Sequence, residues 1–513
     1  MARLRTRHCF ACVLCALLVW IAAARADRAL QPILYTVRVT APATHDADVE
    51  GTFPTGRRAT IDLMMPVWTP GFYRADDYAG KVAQFTARTP DGRPLTAVKS
   101  SANHWQVQTG NALSIVVSYR LRCEQRSVTT NWISEELGVL NGAATFVTLA
   151  ERTARPHDVW LELPPSWPRA MTALDPAPDG LPHHFRAADY DTLVDSPIVA
   201  GALDVHEFLS HGSRHLLVDA GKPAGWDGAR AAADLAKIAD AVHAMWGSLP
   251  FTRYLFLNVF RDGGGGLEHR TSALLTANAA RAVTPDGYHR WLGFVGHEYF
   301  HAFNAKRLRP IELGPFDYDN PPRTTSLWES EGFTEYYAAL MLARSGLSTP
   351  DQFLGAIGSW IDQLQKSPGR LAQTLEQSSA GVWNNSTSGV NPNATTVSYY
   401  VKGAIVAFLL DARIRHASNG ARSLDDVMRV AYRRYGGERG YTPAQFRATA
   451  SEVARTNLDE WFRKAVASTE ELDYGEALDW FGLALRDGTL AAHPDATAAQ
   501  RDHLAALIAG TLR

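Results

Sequence analysis

The feature that most constrains the fold of this chain is a His-Glu-x-x-His run, His297-Glu-Tyr-Phe-His301. Apolar residues on both sides favour a helix, in which two residues four positions apart project from the same face. Two imidazoles one turn apart can bind a tetrahedral Zn²⁺ and leave positions for a third ligand and a water molecule. Glu298 stands beside the first histidine, where a carboxylate can take a proton from that water. The run therefore predicts a helix that carries a catalytic metal site.

A third ligand has to come from another segment, because two histidines seldom complete a catalytic zinc site. The acidic cluster that follows offers Glu329, Glu331 and Glu335 at the start of a second predicted helix. Glu331 and Glu335 can share a helical face, whereas Glu329 and Glu331 cannot. Spacing alone leaves the choice among these carboxylates open.

Length and composition indicate a folded protein of more than one domain. The chain has 513 residues, which is too many for one ordinary core, so we expect two or three domains. Apolar residues make up 46% and charged residues 20%, which is typical of globular rather than disordered chains. The formal net charge is -2 and no basic stripe is evident, so nucleic acid is not an expected partner.

Residues 1–26 have the pattern of a secretory signal peptide. Three arginines precede a short apolar run, Cys9 to Ala24, and Ala24-Arg-Ala26 fits a small-x-small cleavage site. The apolar run is shorter than a comfortable membrane span, and an uncleaved anchor is the alternative. We therefore expect an exported protein, periplasmic or secreted, with no stable membrane association after cleavage. Cleavage would leave Cys123 as the single cysteine, so no internal disulfide is expected.

Changes in periodicity divide the remaining chain. Residues 27–205 alternate apolar and polar positions in short runs separated by Pro and Gly, which predicts a β-sandwich. Strand and helix patterns mix over residues 206–345, and residues 346–482 are mostly helical. We expect residues 483–513 to form a helical tail.

A glycine run, Gly263 to Gly266, follows a predicted buried strand and leads to Glu268 and His269. A phosphate-binding loop is the alternative, but no Gly-Lys-Ser/Thr follows and the dinucleotide-binding spacing is missing. Successive glycines allow another backbone to come close, as an edge strand that receives a peptide requires. The run therefore predicts a strand that aligns a peptide.

Together these motifs resemble the gluzincin metallopeptidases, and within them the glycyl aminopeptidase-like family, whose members usually add a PDZ domain. The resemblance covers roughly residues 33–482 and includes five stretches besides the histidine run and the acidic cluster. These stretches are Leu63-Met-Met-Pro-Val-Trp-Thr-Pro-Gly71, Gly265-Gly-Leu-Glu-His269, Lys306-Arg-Leu-Arg-Pro310, Gly314-Pro-Phe-Asp-Tyr318 and Tyr399-Tyr-Val-Lys-Gly403. The resemblance implies an N-terminal all-β sandwich and a thermolysin-like α+β zinc peptidase domain with a mostly helical C-terminal part.

The resemblance also assigns roles to single residues. One Zn²⁺ per chain is implied, and the Glu that precedes Gly-Phe-Thr becomes its third ligand. A tyrosine of the Tyr-x-Lys-Gly motif would stabilise the oxyanion, which selects Tyr400 over Tyr399. The implied metal ligands are His297, His301 and Glu331, the implied catalytic residues are Glu298 and Tyr400, and the implied substrate-binding residues are Gly264, Gly265, Gly266, Glu268 and His269.

The sequence departs from the family pattern in two places. Phe303 stands where the pattern leads us to expect Trp, which is an apolar exchange. Only about thirty residues follow Gly482, and most of them read as one Ala-rich helix. We therefore expect no PDZ domain.

The expected function is that of a zinc aminopeptidase acting on peptides with a free N-terminus. The resemblance implies that the released residue is small, such as Gly or Ala. A zinc endopeptidase of the thermolysin type is one alternative. A catalytically inactive, zinc-stabilised peptide-binding protein is another, although such a scaffold would need neither Glu298 nor Tyr400.

Overall fold

The computed structural model describes residues 30–151, 154–384 and 392–510. The predicted signal peptide and its cleavage site therefore lie outside the described residues. The described chain forms an N-terminal β domain followed by an α+β domain with a large helical part, as the sequence predicts. Among the described helices, none is both long and apolar enough to cross a bilayer.

The N-terminal domain is built from one eight-stranded sheet and two four-stranded sheets. Apolar and polar positions alternate along its longest strands, so that one face of the large sheet packs on the core. Cys123 is buried in this domain. The strands are β1 Ile33–Arg38, β2 Asp46–Pro54, β3 Thr60–Met64, β4 Val82–Arg88, β5 Pro94–Leu95, β6 Ala97–Lys99, β7 His104–Gln108, β8 Ser114–Arg122, β9 Trp132–Ile133, β10 Leu137–Leu140, β11 Thr148–Leu149, β12 His157–Glu162, β13 Arg169–Thr172, β14 Asp175–Pro176, β15 His184–Ala187 and β16 Ile198–Gly201, with two short helices, α1 Gly142–Thr145 and α2 Tyr190–Val194.

A five-stranded mixed sheet opens the second domain. Its strands are β17 Leu203–Ser210, β18 Ser213–Ala220, β19 Arg253–Arg261, β20 Gly265–Glu268 and β21 Ser272–Asn278. The order is β17-β18-β19-β21-β20, with β18, β19 and β21 parallel. Strand β20 pairs antiparallel with β21 and forms one edge of the sheet. The glycine-rich segment therefore lies at a sheet edge, as its sequence indicates.

Helices pack around this sheet and form the rest of the domain. They are α3 Gly228–Trp246, α4 Ala279–Ala282, α5 Pro285–Phe300, α6 Phe333–Arg344, α7 Pro350–Lys366, α8 Leu375–Ala380, α9 Tyr399–Ala417, α10 Leu424–Tyr435, α11 Pro443–Ala454, α12 Asp459–Val466, α13 Gly475–Phe481 and α14 Ala498–Ala509. One π-helical turn, Trp328–Gly332, leads directly into α6. Such turns are frequently found at functional sites.

The C-terminal segment is not the entirely helical tail that the sequence led us to expect, because it begins with a β-hairpin. A hairpin of β22 Leu483–Arg486 and β23 Thr489–Ala492 precedes α14. Its turn residues, Asp487 and Gly488, both have positive φ angles, 48° and 75°. Asp-Gly flanked by alternating apolar residues, here Leu483, Leu485 and Leu490, is a strong hairpin signal, and the periodicity of the following helix obscures it. Leu490 of this hairpin packs on Gly358 of α7, where an added Cβ would lie 2.8 Å from the Leu490 amide nitrogen.

Candidate metal centre and peptide-binding site

Helix α5 presents the histidine run at its C-terminal end. Thr284 caps the helix by accepting a hydrogen bond from the Gly287 amide at 3.1 Å, and Pro285 occupies the first turn, where its missing N–H costs nothing. His297 and Glu298 lie in the last turn, and His301 is the C-cap residue with helical backbone angles. The predicted helix therefore carries both histidines on one face.

The π-helical turn brings Glu331 to these histidines. The Nε2 atoms of His297 and His301 lie 3.0 Å apart, and Glu331 Oε2 lies 3.6 Å from the first and 3.2 Å from the second. All three side chains are buried. Within the described residues these three form the one cluster of metal-binding side chains whose ligand atoms converge. The structure thus selects Glu331 from the carboxylates that spacing left open.

The donor set fits zinc in chemistry and size. Two imidazole nitrogens and a carboxylate oxygen are the ligands of many catalytic zinc sites. Donor atoms bound to tetrahedral zinc at about 2.0–2.1 Å lie roughly 3.3 Å from one another. The three observed separations bracket that value. Around a tetrahedral ion these three atoms would form one face, which would leave the fourth position to water or substrate.

Both imidazole rings are oriented through their second nitrogen. Nδ1 of His297 lies 3.0 Å from Glu335 Oε2, and Nδ1 of His301 lies 3.0 Å from the carbonyl oxygen of Asn304. Each Nδ1–H can donate to its oxygen, which leaves the Nε2 lone pair for a metal. The structure therefore gives Glu335, one of the carboxylates left open by spacing, an orienting contact rather than a place in the triangle.

Asn304 ties the end of α5 to the π-helical turn, a role the sequence did not reveal. Its Nδ2 lies 2.9 Å from the carbonyl oxygen of Glu329 and 3.0 Å from that of Ser330. It also lies 3.0 Å from the hydroxyl of Thr334. Because Asn304 follows His301 by three residues, this buried amide fixes the carboxylate-bearing turn relative to the histidines.

A tyrosine of the N-terminal domain also contacts the candidate ligand set. The Tyr73 hydroxyl donates to Glu331 Oε1 at 3.2 Å, and the contact is buried. It occupies the carboxylate oxygen that does not face the histidines, which leaves Oε2 for a metal. Nothing in the sequence distinguished Tyr73 from a core aromatic residue, although it lies two residues after a stretch that carries the family resemblance.

Glu298 follows His297 in α5 and lies against the edge strand. A Cβ at Gly266 would overlap the Glu298 carboxylate and the Phe294 ring, so glycine lets β20 pass this close without displacing either side chain. Burial raises the pKa of Glu298 to about 7, against the opposing charge of His297 and with a further contribution from Glu268. A carboxylate with a pKa near neutrality is suited to both accepting and returning a proton.

Tyr400 faces His297 from helix α9. The two ring centroids lie 6.1 Å apart with an interplanar angle of 29°. Two glycines allow α9 to pack closely on the π-helical turn, since a Cβ at Gly332 would lie 2.5 Å from the Gly403 backbone. Burial, followed by the charge of Glu331, raises the pKa of Tyr400 well above its ordinary value. The hydroxyl therefore stays protonated and can donate a hydrogen bond.

Glu268 ends the edge strand against the N-terminal domain. A Cβ at Gly71 would lie 2.6 Å from its Oε1, and the φ angle of Gly71 is +99°. The His269 side chain contacts Asp195 instead, with Nδ1 3.3 Å from Asp195 Oδ1. The same oxygen forms an ion pair with Lys306 Nζ at 2.7 Å. The structure therefore brings Glu268 into the site and leaves His269 in a neighbouring polar network. Gly264 precedes β20 and is exposed, while Gly265 and Gly266 are the first two residues of β20 and are half-buried.

Comparison with known sequences decides the family. The profile of the Peptidase M61 N-terminal domain matches residues 34–202, and that of M61 glycyl aminopeptidase matches residues 290–406. The chain belongs to the M61 glycyl aminopeptidase family. Because this family consists of peptidases, the M61 chain is a hydrolase that cleaves peptide bonds. No curated protein sequence matches it.

Solved structures agree with this assignment. An aminopeptidase N family protein from Idiomarina loihiensis is 28% identical, with a TM-score of 0.83 over 88% of this chain and 78% of that one. A zinc metallopeptidase of the M1 family from Deinococcus radiodurans, bound to a Tyr-Ser-Ala substrate, has a TM-score of 0.54 at 15% identity. That alignment covers 86% of this chain and 95% of the Deinococcus protein and shows a shared fold.

Proposed function

We propose that this M61 chain is a zinc-dependent aminopeptidase that releases N-terminal residues from peptides. The observation that carries the proposal is the convergence of His297, His301 and Glu331 beside a buried Glu298. Membership of a peptidase family and similarity to zinc metallopeptidases support the metal and the reaction. Exopeptidase action is supported by Glu268, a buried carboxylate on the same edge strand that can bind a substrate ammonium group.

His297, His301 and Glu331 would hold the metal. Bound zinc would polarise the peptide carbonyl and make water a stronger nucleophile at neutral pH. Glu298 accepts the proton of the attacking water and returns it to the leaving amine. Tyr400 donates to the developing oxyanion. Glu268 binds the N-terminal ammonium and so fixes which peptide bond reaches Glu298, while Gly265 and Gly266 align the peptide backbone along β20.

Substrates on this proposal are peptides with a free N-terminus. The signal-like residues 1–26 support an exported enzyme, periplasmic or secreted. Cell fractionation of the full-length protein in a bacterial host, with the N-terminus of the product sequenced, tests this location. Retention of residues 1–26 in the membrane fraction would contradict cleavage and export.

The decisive assay compares hydrolysis of Ala-Ala-Ala with that of its N-acetylated form, with and without a chelator. We expect cleavage of the free peptide only, its loss with chelator, and its return when zinc is added. Cleavage of the acetylated peptide at a comparable rate would favour a thermolysin-type endopeptidase. Zinc binding without cleavage of either peptide would favour the peptide-binding protein.

The amine anchor has a separate test in Glu268→Ala. Loss of a charged hydrogen-bond partner predicts a decrease of about 10- to 100-fold in kcat/KM on the free peptide. Any slow cleavage of the acetylated peptide should be affected much less. Glu136→Ala, which removes an exposed acid of the N-terminal domain, serves as the control. Equal loss on both peptides would argue against the amine anchor.

A further inference from the structure

The groups proposed to act on a peptide follow a fixed order along the edge strand β20. Glu268, the proposed amine anchor, is the last residue of the strand. Gly266 lies two residues earlier, against the carboxylate of Glu298, the proposed proton acceptor. A peptide held at Glu268 therefore passes Glu298 at Gly266 and continues past Gly265, antiparallel to β20.

Strand geometry determines how far a short peptide reaches along β20. Successive residues of an antiparallel strand advance by about 3.4 Å, so the three steps from Glu268 to Gly265 span about 10 Å. An extended tripeptide has about the same length on this rise. With its ammonium on Glu268, such a peptide ends beside Gly265 and the turn that precedes it. The side chains around this turn therefore meet the C-terminus of a short substrate.

The guanidinium of Arg261, the last residue of β19, lies at this end of β20. A Cβ at Gly263 would lie 3.2 Å from its Nη1. Nη1 donates to the carbonyl oxygen of Asp262 at 2.8 Å, and Nη2 donates to the hydroxyl of Thr276 at 3.3 Å. That hydroxyl donates in turn to the carbonyl oxygen of Gly265 at 3.0 Å. These contacts hold the guanidinium against the beginning of the edge strand.

Arg261 keeps donors for a ligand. A guanidinium has five N–H donors, and the contacts to Asp262 and Thr276 use two of them. The Nε atom is buried and has no hydrogen-bond partner among the described residues. The half-buried side chain therefore presents a charge whose hydrogen-bonding capacity is only partly used.

A second arginine approaches the same end of β20 from the N-terminal domain. A Cβ at Gly265 would lie 3.7 Å from Val128 Cγ1, so the loop that carries Arg126 lies against the first residue of the strand. Arg126 is exposed, and its Cζ lies 5.6 Å from the centroid of the Trp132 ring. Both domains thus contribute a guanidinium to this end of the strand.

Among the described residues, no acid forms an ion pair with either arginine. Asp262 is exposed and contacts Arg261 through its backbone carbonyl. Glu124, two residues before Arg126, lies 3.7 Å from Arg122 instead. Burial, and then the charge of Arg126, lowers the pKa of Arg261, yet a guanidinium stays charged in proteins. The two like charges are therefore complementary to a carboxylate that a ligand supplies.

We propose that Arg261 and Arg126 bind the C-terminal carboxylate of the substrate, so that this enzyme acts on short peptides with both ends free. The proposal rests on the aminopeptidase function proposed above, because that function places the substrate ammonium on Glu268. Hydrogen bonds between a guanidinium and a carboxylate are about twice as strong as those between neutral groups. One charged contact at each end of β20 fixes both the register and the length of the bound peptide.

The test compares Ala-Ala-Ala with its C-terminal amide on the full-length, zinc-loaded protein. The two peptides share their N-terminus and have nearly the same shape, so their ratio of kcat/KM isolates the terminal charge. We expect the free acid to exceed the amide by about 10- to 100-fold, as for a hydrogen bond to a charged group. A ratio near one overturns the carboxylate site and leaves the aminopeptidase proposal intact. No cleavage of either peptide overturns both proposals.

Peptide length gives an independent measurement of the same site. Among di-, tri-, tetra- and hexa-alanine, we expect the highest kcat/KM for the tri- or tetrapeptide. The carboxylate of the dipeptide falls short of Arg261, and that of the hexapeptide lies beyond it. A kcat/KM that rises through hexa-alanine contradicts the proposal.

Arg261→Met should bring the ratio of acid to amide cleavage to near one, and Arg261→Lys should keep part of it. Arg253→Met is the matched control, because Arg253 begins the same strand, is half-buried and donates to the carbonyl oxygens of Ala173 and Leu174. It should leave the ratio unchanged. A ratio that survives in Arg261→Met, or that Arg253→Met reduces equally, contradicts the assignment to Arg261.

Arg126→Ala changes an exposed side chain and tests the site without disturbing β19. It should lower the ratio of acid to amide cleavage in part, because Arg261 remains. An unchanged ratio in this variant overturns the role of Arg126. If Arg261→Met does not fold, the ratio measured on the unmodified chain still decides the proposal.

Discussion

The candidate metal site and the candidate amine anchor are assembled in different ways. The three converging side chains come from one helix end and one π-helical turn, between His297 and Glu331 of the same domain. Glu268, by contrast, is positioned against Gly71, which belongs to the N-terminal domain and precedes it by almost 200 residues. One short segment of the chain therefore supplies all three candidate metal ligands, whereas the position of the amine anchor Glu268 depends on the contact between the two domains.

Tyr73 joins the two regions. It comes from the same loop as Gly71, yet it donates to Glu331 in the metal triangle. Trp383 packs against it with ring centroids 6.2 Å apart. Substitutions in the second domain should therefore change metal binding or proton transfer. Substitutions in the N-terminal loop should act on substrate binding and on the orientation of Glu331.

The largest expected effect is that of Glu331→Ala, which removes one corner of the triangle. We expect loss of stoichiometric zinc, measured by atomic absorption after dialysis, together with loss of peptide cleavage. Glu329→Gln is the matched control, since Glu329 lies in the same buried turn but outside the triangle. Normal zinc content in Glu331→Ala, or loss in Glu329→Gln, would show that the wrong carboxylate has been selected.

Glu298→Gln should keep the metal and lose the reaction. Glutamine has nearly the same shape but cannot accept the proton of the attacking water, so kcat should decrease by about 10²- to 10⁴-fold. Zinc content should equal that of the unmodified protein. Near-normal turnover with full zinc content would show that Glu298 is not the group that accepts the proton.

Tyr73→Phe tests whether the N-terminal domain supports the metal. Loss of an outer hydrogen bond to a ligand typically lowers metal affinity by about 10- to 100-fold. Competition with a chromogenic zinc chelator measures this affinity. Tyr78→Phe removes a buried hydroxyl that donates to Asp76 at 3.2 Å and should leave zinc affinity unchanged. Equal zinc affinity in Tyr73→Phe and the unmodified chain would restrict the metal site to the second domain.

The smallest effect in this series is expected for Gly71→Ala. Both Gly71 and Gly92 have φ angles near +95°, namely +99° and +94°, so alanine at either position costs about 1–3 kcal/mol of backbone strain. Only at Gly71 would the new Cβ meet the Glu268 carboxylate, because nothing lies within 4 Å at Gly92. We expect KM for Ala-Ala-Ala to rise about tenfold in Gly71→Ala, as when one charged hydrogen bond weakens. A similar rise in Gly92→Ala would attribute the change to strain alone.

Local sequence patterns predict much of the fold and, within the site, the helix that carries the two histidines and the glycine-rich edge strand. The four-residue spacing of His297 and His301 and the apolar residues on both sides predict α5, because helix geometry acts within a few residues. Period-two alternation predicts the N-terminal β domain, and the glycine run predicts an edge strand. These are short-range rules, so the residues that obey them can be recognised without knowing the rest of the chain.

Contacts over long sequence separations needed the tertiary structure. Spacing left the choice among Glu329, Glu331 and Glu335 open. The π-helical turn held by Asn304 decides it, because only Glu331 is directed to both histidines. The hydroxyl of Tyr73 reaches Glu331 across 258 positions of the chain. A buried tyrosine reads in sequence as a core residue, and only the packing of the two domains gives its hydroxyl a partner. The sequence by itself therefore determined the metal-binding chemistry, while the packing of the domains decided what surrounds it.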